Sequence, residues 1–397
     1  MHEGYTMRDA KFWGMVISLG LASAYIFAVM YAFQPLLPIL TQQFGISISY
    51  ASTTMSIMTV GLIIGLLAIG FASDRYGREW FVKSAILIVA VPFVILPFVT
   101  DFAWVVVLRF VQGIALAGVI AVGLAYLGEE IHPKFRSTAT ALYISFNSIG
   151  GMLGRVLTGG LAEKHSWDFA LYVLAATGIV IFIIVLIFLP KSRNFMPSEV
   201  SVAKDVKGFL VHLKNPKLVI IFGFGMVLQM TFTSVWTYLP FYLNAAPFNW
   251  SLHRISFIYL TYGFGIVGAP LAGFLASKMG LPIVRTIGVA TLVIGVIITM
   301  IPSTTGIIVG MCVICLGFFV AHSLMASTVT MEATHHKGSA SSLYLVSYYI
   351  GVAIGSSAFS TIWESYHWQG ITLLAASLPI VYSALTLITR KPHKKMT

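Results

Sequence analysis

Long blocks of apolar residues recur along the whole chain, and short polar segments separate them. The segments 181–190 and 291–301, for example, consist mainly of Ile, Val and Leu. A helix needs about 20 consecutive apolar residues to cross the hydrocarbon core of a bilayer. The blocks reach this length, so the pattern predicts membrane-spanning helices and not the amphipathic helices of a water-soluble domain.

The pattern predicts an all-α polytopic membrane protein with twelve transmembrane helices in two six-helix repeats. The spans are predicted at 14–36, 49–72, 80–100, 103–128, 138–162, 168–190, 218–243, 254–277, 283–302, 305–330, 340–362 and 369–389. The longest polar stretch defines the predicted domains. These are an N-terminal six-helix bundle at 1–190, a cytoplasmic central loop at 191–217 and a C-terminal six-helix bundle at 218–397.

Composition and charge support this interpretation. Hydrophobic residues make up 58% of the chain and charged residues only 9%, against about 25% charged residues in soluble domains. The net charge of +11 is spread over short loops, so we predict the lipid bilayer as a partner and no nucleic acid. The first apolar block is too long for the core of a signal peptide, so we expect no cleaved signal.

The distribution of Lys and Arg predicts the orientation. Among the 24 such residues, Arg109 and Arg155 fall within spans, and Lys164 and Arg254 fall in loops on one side. All the others, including Lys204, Lys207 and the tail at 390–395, fall on the side that carries both termini. Because positive loops stay inside, we predict that the N and C termini are cytoplasmic.

The two halves of the sequence resemble each other at a distance of about 200 positions, which predicts a duplicated unit. The first match pairs Gly70, Arg75 and Gly77 with Gly273, Lys278 and Gly280. The second match pairs Leu142-Tyr143, Ile149-Gly150 and Gly154 with Leu343-Tyr344, Ile350-Gly351 and Gly355.

Two motifs resemble a known family. The sequence GFASDRYGR at 70–78 resembles the G-x-x-x-D-R-x-G-R loop after the second helix of the major facilitator superfamily. The sequence LRFVQG at 108–113 resembles the R-x-x-Q-G motif of its drug–proton antiporters, and 126–160 is similar to twelve-helix efflux proteins of the YnfM type. The length of the chain and its pattern of apolar and polar segments also resemble those of the staphylopine-type metallophore exporters. The resemblance implies two halves that alternate access, with the proton gradient as energy source and no cofactor.

The fifth span departs from the antiporter pattern. It contains Gly150, Gly154, Gly159 and Gly160 but lacks the proline that the antiporter motif places between its glycines. Arg155 stands in the middle of these glycines. Close packing of helices through small residues is retained, but a charge is added to the membrane interior.

Arg109 and Arg155 are the main candidates for contact with a substrate. Both lie within consecutive spans, roughly 10 Å below the outer surface at 1.5 Å per residue, and no Asp or Glu lies deep in any span. A cationic interior predicts an anionic or carboxylate-bearing substrate, which guanidinium groups bind bidentately. The alternative is that each arginine reaches outward or binds backbone carbonyls and only braces the helices.

Further polar and aromatic residues lie on spans that line the central cavity in this fold. Taken singly, each side chain of this kind is more typical of packing or of an interfacial anchor. The predicted substrate-binding residues besides the two arginines are Tyr25, Gln34, Asn147, Gln229, Trp236 and Tyr348.

Three residues are candidates for proton coupling. The antiporters that this chain resembles often carry an acid in the first helix, and this chain has none there. His322 lies in the middle of the tenth span, and imidazole titrates in the physiological range. Glu129 and Glu130 lie at the cytoplasmic end of the fourth span. The alternative for His322 is a hydrogen-bonded packing residue.

The motif at 70–78 predicts a conformational latch at a cytoplasmic helix end. Its candidate residues are Gly70, Asp74, Arg75, Gly77 and Arg78. Asp74 would pair in one state of the transporter and release in the other, which biases a two-state equilibrium. A charged cytoplasmic turn without a switching role is the alternative.

We therefore predict a monomeric, proton-coupled exporter of small carboxylate-bearing organic molecules in a bacterial cytoplasmic membrane. It serves either multidrug and metabolite efflux or dedicated export of an opine-type metallophore. A proton-coupled uptake symporter for an anionic solute is the alternative. We predict no enzyme activity and no metal site, because the spans contain no clustered acid pair, nucleophile–base pair or metal-ligand spacing.

Overall fold

A computed structural model describes residues 4–197, 209–333 and 337–389, and the chain is helical in most of this part. The predicted charges Lys204, Lys207 and those at 390–395 lie outside the described residues. The main helices are α1 (Ala10–Tyr31), α2 (Leu37–Phe44), α3 (Ile48–Tyr76), α4 (Arg78–Ile95), α5 (Phe102–Glu130), α6 (Arg136–Lys164), α7 (Trp167–Phe188), α8 (Pro216–Asn244), α9 (Leu252–Ile258), α10 (Tyr262–Met279), α11 (Leu281–Ile298), α12 (Thr304–Glu332), α13 (Lys337–Ser357) and α14 (Ser360–Thr389).

Ten helical stretches within the described residues are long and apolar enough to cross a membrane. Helices α6 and α13 are not among them, although they are 29 and 21 residues long. Helix α6 carries four charged side chains, and α13 is rich in Ser and Tyr. The all-α polytopic architecture is thus confirmed, whereas the number of twelve spans stays a prediction.

The chain forms two compact units. The first consists of Met1–Val202 and Pro240–Tyr262, and the second of Ala203–Leu239 and Gly263–Thr397. In the first unit, α3 packs on α5, α1 and α9 pack on α6, and α4 packs on α5 and α7. In the second unit, α11 packs on α12 and α14. The first unit therefore includes a segment that the sequence assigns to the second half.

Several helices have a Ser or Asp residue as their N-cap. In each case the side-chain oxygen before the helix accepts a hydrogen bond from a first-turn backbone N–H, which has no intrahelical partner. The pairs are Ser47 with Tyr50, Asp101 with Ala103, Ser166 with Phe169, Ser251 with Arg254, and Ser303 with Gly306. All of these caps lie at helix ends that the predicted topology places on the outer side.

Two predicted spans are interrupted in the first unit. The first span, 14–36, leaves the helical conformation after Tyr31 and turns through 32–36, because Pro35 lacks a backbone N–H and disfavours helix at the residue before it. The eighth span, 254–277, is interrupted by a 3₁₀ turn at Tyr259–Thr261. Both irregular segments lie beside α6, where they shape the candidate site.

Two glycines of the predicted repeat share an unusual backbone conformation. Gly77, between α3 and α4, has φ 100° and ψ 155°, and Gly280, between α10 and α11, has φ 87° and ψ 144°. Residues with a side chain rarely adopt a positive φ of this size. The shared geometry supports the duplication that the sequence predicts.

Candidate functional site

Close packing of α6 on α1 places Arg155 next to the end of α1. A Cβ atom on Gly150 would overlap the carbonyl oxygen of Ala24, and a Cβ atom on Gly154 would lie 2.5 Å from the Cα atom of Ala28. Such an approach of two backbones requires residues without side chains. The glycines predicted as a packing face therefore fix the position of Arg155.

The guanidinium of Arg155 is fully buried and donates to one backbone and two side-chain acceptors. Nε donates to Oε1 of Gln34 over 2.7 Å, and one terminal nitrogen donates to the carbonyl of Gly151 over 2.6 Å. The other terminal nitrogen donates to the hydroxyl of Tyr262 over 3.0 Å. Three of the five guanidinium N–H groups are thus accounted for.

Aromatic rings also surround Arg155. The guanidinium carbon lies 3.8 Å from the ring centre of Tyr31, 4.5 Å from that of Tyr262 and 5.3 Å from that of Tyr259. Cation–π attraction is strongest where the cation is desolvated. These rings therefore offset part of the cost of burying the charge.

Gln34 is fully buried and has one unpartnered group. Its amide oxygen accepts from Arg155, whereas its amide nitrogen has no hydrogen-bond partner among the residues that the structure describes. A buried donor without an acceptor is costly and calls for an explanation. An acceptor group of a bound molecule next to Arg155 would satisfy it.

Arg109 is buried to the same degree but is bound differently. Its guanidinium donates to the backbone carbonyls of Thr54 over 3.4 Å, Val29 over 3.3 Å and Met30 over 3.3 Å. It also donates to Oε1 of Gln112 over 2.9 Å, one helical turn further along α5. These contacts join α1, α3 and α5. They match the bracing role that was the alternative to contact with a substrate.

Both arginines lie at the C-terminal end of α1. The last carbonyls of a helix lack intrahelical donors and carry partial negative charge. Arg109 binds two of them directly, and Thr158 of α6 binds the carbonyl of Ala32 over 3.0 Å. The early end of α1 at Pro35 therefore creates a negative region inside the first unit that stabilises buried cations.

Two other predicted binding residues of the first unit are engaged in packing. The hydroxyl of Tyr25 lies against the position of Gly178 on α7, next to Ala90 on α4. Asn147 accepts a hydrogen bond from Ser23 between α6 and α1. Their predicted contact with a substrate stays a prediction.

The second unit contains the remaining predicted binding residues. Gln229 and Trp236 are buried on α8, and Gln229 donates to Thr233 over 3.0 Å. The ring of Tyr348 on α13 lies 4.8 Å from the ring of His322. Tyr348 is thus brought next to another candidate residue, His322.

His322 lies within an aromatic cluster of the second unit. Its ring stacks on Phe318 at 5.5 Å and on Tyr344 at 5.6 Å between ring centres. The Nδ1 atom lies 2.9 Å from the hydroxyl of Tyr344, and Phe318 in turn stacks on Phe232 at 4.0 Å. The hydroxyl–imidazole pair is suited to proton exchange, although the same contacts also describe a packed histidine.

Arg78 is the centre of the predicted latch. It pairs with Asp74 one turn earlier and with Glu129 of α5 at 2.6 Å, and it donates to the hydroxyl of Ser73 over 2.9 Å. Gly77 provides the positive φ that turns the chain between Asp74 and Arg78. Glu129, predicted as a proton-coupling residue, is thus the ion-pair partner of a latch residue.

The remaining latch candidates are Arg75 and Gly70. Arg75 donates to the carbonyl of Phe71 over 2.7 Å, within its own helix. A Cβ atom on Gly70 would meet no other atom within 4 Å. The structure therefore shows a network around Asp74 and Arg78, and the switching role of the motif stays a prediction.

The carboxylate of Glu130, at the end of α5, accepts hydrogen bonds from the start of the central loop. Its carboxylate is almost fully buried, and one oxygen accepts from the hydroxyl of Ser192 and the backbone N–H groups of Arg193 and Asn194, all at 2.7–2.8 Å. The backbone N–H of Tyr5 donates to the carbonyl of Glu130 over 2.8 Å. Burial raises the pKa of the Tyr5 phenol. Glu130 thus binds α5 to the start of the central loop, an arrangement that sequence reasoning missed because two of the three donors to its carboxylate are backbone N–H groups.

Comparison with known proteins identifies the family. The model for the Major Facilitator Superfamily matches residues 19–356 and 248–397. The chain belongs to the major facilitator superfamily. Its relatives include the inner membrane transport protein YnfM of Escherichia coli (strain K12), 33% identical over 96% of this chain and 92% of that protein.

Further comparisons agree with this major facilitator assignment. An uncharacterized transporter of Buchnera aphidicola subsp. Schizaphis graminum (strain Sg) is 35% identical over 96% of this chain and 92% of that protein. The nucleoside transporter NupG has a TM-score of 0.77 at 16% identity, covering 95% of this chain and all of that one. A bacterial homolog of the human lysosomal transporter Spinster, inward-facing and unoccupied, has a TM-score of 0.76 at 14% identity, covering 96% and 97%. The solved structures show the shared fold alone.

The major facilitator chain is therefore a membrane transporter and not an enzyme. The predicted resemblance to this superfamily and to YnfM is confirmed. The antiporter and metallophore-exporter assignments stay predictions.

Proposed function

We propose that this transporter is a proton-coupled exporter of small carboxylate-bearing organic molecules. It has twelve spans, both termini face the cytoplasm, and it acts as a monomer in a bacterial cytoplasmic membrane. Its relative YnfM of Escherichia coli is an inner membrane transport protein, which supports this location.

The observation that carries the proposal is the pairing of Arg155 with Gln34. Within residues 4–197, 209–333 and 337–389, no carboxylate forms an ion pair with Arg155 or Arg109. A buried cation without a counter-charge attracts an anion, and the unpartnered amide nitrogen of Gln34 supplies a further donor. A cargo carboxylate meets both requirements.

Two classes of cargo fit this chemistry. An opine-type metallophore carries several carboxylates, which suits a dedicated export route. General efflux of drugs or metabolites requires only that each cargo places an acidic group near Arg155. The aromatic rings around the guanidinium suit either class, because they pack against the organic part of a ligand.

His322 is the residue to which we assign proton coupling. Its contact with the hydroxyl of Tyr344 supports this assignment, since the pair can pass a proton within a buried aromatic cluster. Glu129 and Glu130 support the cytoplasmic network instead, because Arg78 and the central loop occupy their carboxylates.

The first test is untargeted metabolomics on medium and cells, with and without the gene, in metal-replete and metal-starved growth. A dedicated exporter predicts that one carboxylate-rich chelator disappears from the medium and accumulates in cells that lack the gene. Sensitivity to several unrelated drugs, without a change in any metabolite, indicates general efflux. Loss of carboxylate uptake in cells that lack the gene would contradict export and support the symporter.

The second test measures direction and coupling in inverted membrane vesicles. An outward pump loads such vesicles with radiolabelled cargo when their lumen is acidified, and it stops when a protonophore collapses the gradient. Uptake that is indifferent to the protonophore would contradict proton coupling. Vesicles from cells that lack the gene provide the control.

A further inference from the structure

A 3₁₀ turn lies where the eighth predicted span passes α6. Tyr259–Thr261 form the turn and Tyr262 begins α10. Side chains three positions apart lie on the same side of a 3₁₀ helix, so Tyr259 and Tyr262 both lie beside Arg155. Short 3₁₀ stretches within a helix often mark hinges, so this segment is suited to move relative to α6.

The hydroxyl of Tyr262 is a replaceable partner of Arg155. It is a neutral acceptor that occupies one N–H of one terminal nitrogen. A carboxylate accepts two parallel N–H groups from a guanidinium, and such charge-assisted bonds are about twice as strong as neutral ones. An anionic group that reaches the site would therefore displace the hydroxyl.

Gln34 orients the site for this exchange. Its amide oxygen is held by Nε of Arg155 over 2.7 Å, and its amide nitrogen is buried without a partner. With the hydroxyl of Tyr262 removed, both terminal nitrogens of Arg155 and the amide nitrogen of Gln34 offer donors. This set of donors matches the oxygens of one carboxylate.

We propose that Arg155 and Gln34 bind a carboxylate of the cargo, and that Tyr262 holds the same guanidinium until the carboxylate replaces it. Tyr262 thereby links cargo binding to the contact between α6 and the segment 252–262. This inference rests on the proposed function, because it takes the cargo to be a carboxylate.

Several close approaches hold the segment 252–262 against α6. The side chain of Ser256 fills the space beside Gly159, and Glu163 accepts from the backbone N–H of His253. The hydrogen bond between Tyr262 and Arg155 is a buried part of this contact. Its loss shifts the population toward states in which the segment has left α6.

Labelling of Ser256→Cys tests the inference in the purified full-length protein. Ser256 is fully buried and cysteine has nearly the same shape, so reaction with a polar maleimide reports departure of the segment from α6. The natural cysteines Cys312 and Cys315 are replaced by Ala in the background. The probe is iminodiacetate, the minimal dicarboxylate core of an opine, and diethanolamine is its uncharged-arm counterpart.

Saturating iminodiacetate should raise the labelling rate about tenfold, the size expected when one hydrogen bond to a charged group is exchanged. Diethanolamine should leave the rate unchanged, and Arg155→Gln should remove the response to iminodiacetate. Tyr262→Phe keeps the ring and removes the hydroxyl, so it should raise the rate about tenfold without any probe. Tyr366→Phe, the same change at an exposed tyrosine of α14, should have no effect.

The outcomes separate the inference from the proposed function. The inference would be overturned if Tyr262→Phe were labelled at the rate of the unmodified background. It would also be overturned if iminodiacetate raised the labelling rate of Arg155→Gln as much as that of the unmodified background. Proton-driven transport of iminodiacetate with unchanged labelling would overturn it while the proposed function stands. If labelling changes as predicted but the vesicles transport no carboxylate, the carboxylate site at Arg155 is supported and the proposed function is overturned.

Discussion

Arg109 and Arg155 are equally buried and lie at the same end of α1, yet their partners differ. Arg109 binds three backbone carbonyls and a glutamine of its own helix. Arg155 binds one backbone carbonyl, and its other partners are the side chains of Gln34 and Tyr262. Backbone carbonyls leave only if a helix moves, whereas side chains rotate. The comparison separates a fixed brace from a site whose partners can be exchanged.

The largest expected effect is that of Arg109→Leu on stability. The substitution leaves the carbonyls of Val29 and Met30, at the end of α1, without a donor and removes the contact with the carbonyl of Thr54. A buried carbonyl without a donor costs about 1–3 kcal/mol. We expect the free energy of unfolding to fall by roughly 4 kcal/mol, with little protein in the membrane. Membrane yield and the melting temperature in detergent measure this effect. A stable Arg109→Leu protein that has lost only transport would make Arg109 a substrate contact.

The second effect concerns transport by Arg155→Gln. The variant keeps a polar side chain near Gln34 and Tyr262, so we expect normal yield and a melting temperature within a few degrees. Loss of a bidentate contact with a carboxylate should lower transport about 100-fold. Vesicle uptake of labelled cargo measures it, and Arg254→Gln, at an exposed position of α9, is the matched control. Transport at the unmodified rate would remove Arg155 from the binding site.

The third effect compares neighbouring glycines of α6. A methyl group on Gly150 would overlap the backbone of Ala24, whereas a methyl group on Gly151 would lie 3.4 Å from the ring of Tyr31. We expect Gly150→Ala to lower the free energy of unfolding by about 2 kcal/mol, the usual cost of overpacking, and Gly151→Ala to change it little. Thermal unfolding of both variants in parallel tests whether this packing positions Arg155. Equal melting temperatures would contradict it.

The smallest effect concerns His322→Gln. Glutamine retains a hydrogen-bonding group near Tyr344 but does not titrate, so transport should continue with a flatter dependence on pH across the acidic-to-neutral range. Initial rates across this range, with Tyr344→Phe as a second variant, measure the change. An unaltered pH profile in both variants would show that His322 is a packing residue.

The fold was largely predictable from the sequence, because apolar blocks of membrane length admit few other structures. The motifs at 70–78 and 108–113 predicted the family, and the family is confirmed. Gly150 and Gly154 were predicted to allow close helix packing, and the structure shows it against α1. These features depend on residue type and spacing, which the sequence displays directly.

The surroundings of the two arginines were not predictable. Arg109 and Arg155 are both isolated charges within spans, and the motif at 108–113 favoured Arg109 as the functional residue. Their difference depends on where α1 ends and on the 3₁₀ turn that brings Tyr262 to Arg155, and both are local irregularities within apolar blocks. Pro35 was a visible signal for the first irregularity, since proline ends helices. No signal in the sequence indicated the partners of Glu130, because two of its three donors are backbone N–H groups, which nearly every residue has.

The most direct test of the difference between the two arginines is thermal unfolding of the purified protein with and without iminodiacetate. A ligand that binds only the folded state raises the melting temperature. The account predicts that iminodiacetate stabilises the unmodified protein and Tyr262→Phe, and that it leaves the melting temperature of Arg155→Gln unchanged. An equal rise in Arg155→Gln would contradict the assignment of the carboxylate site to Arg155.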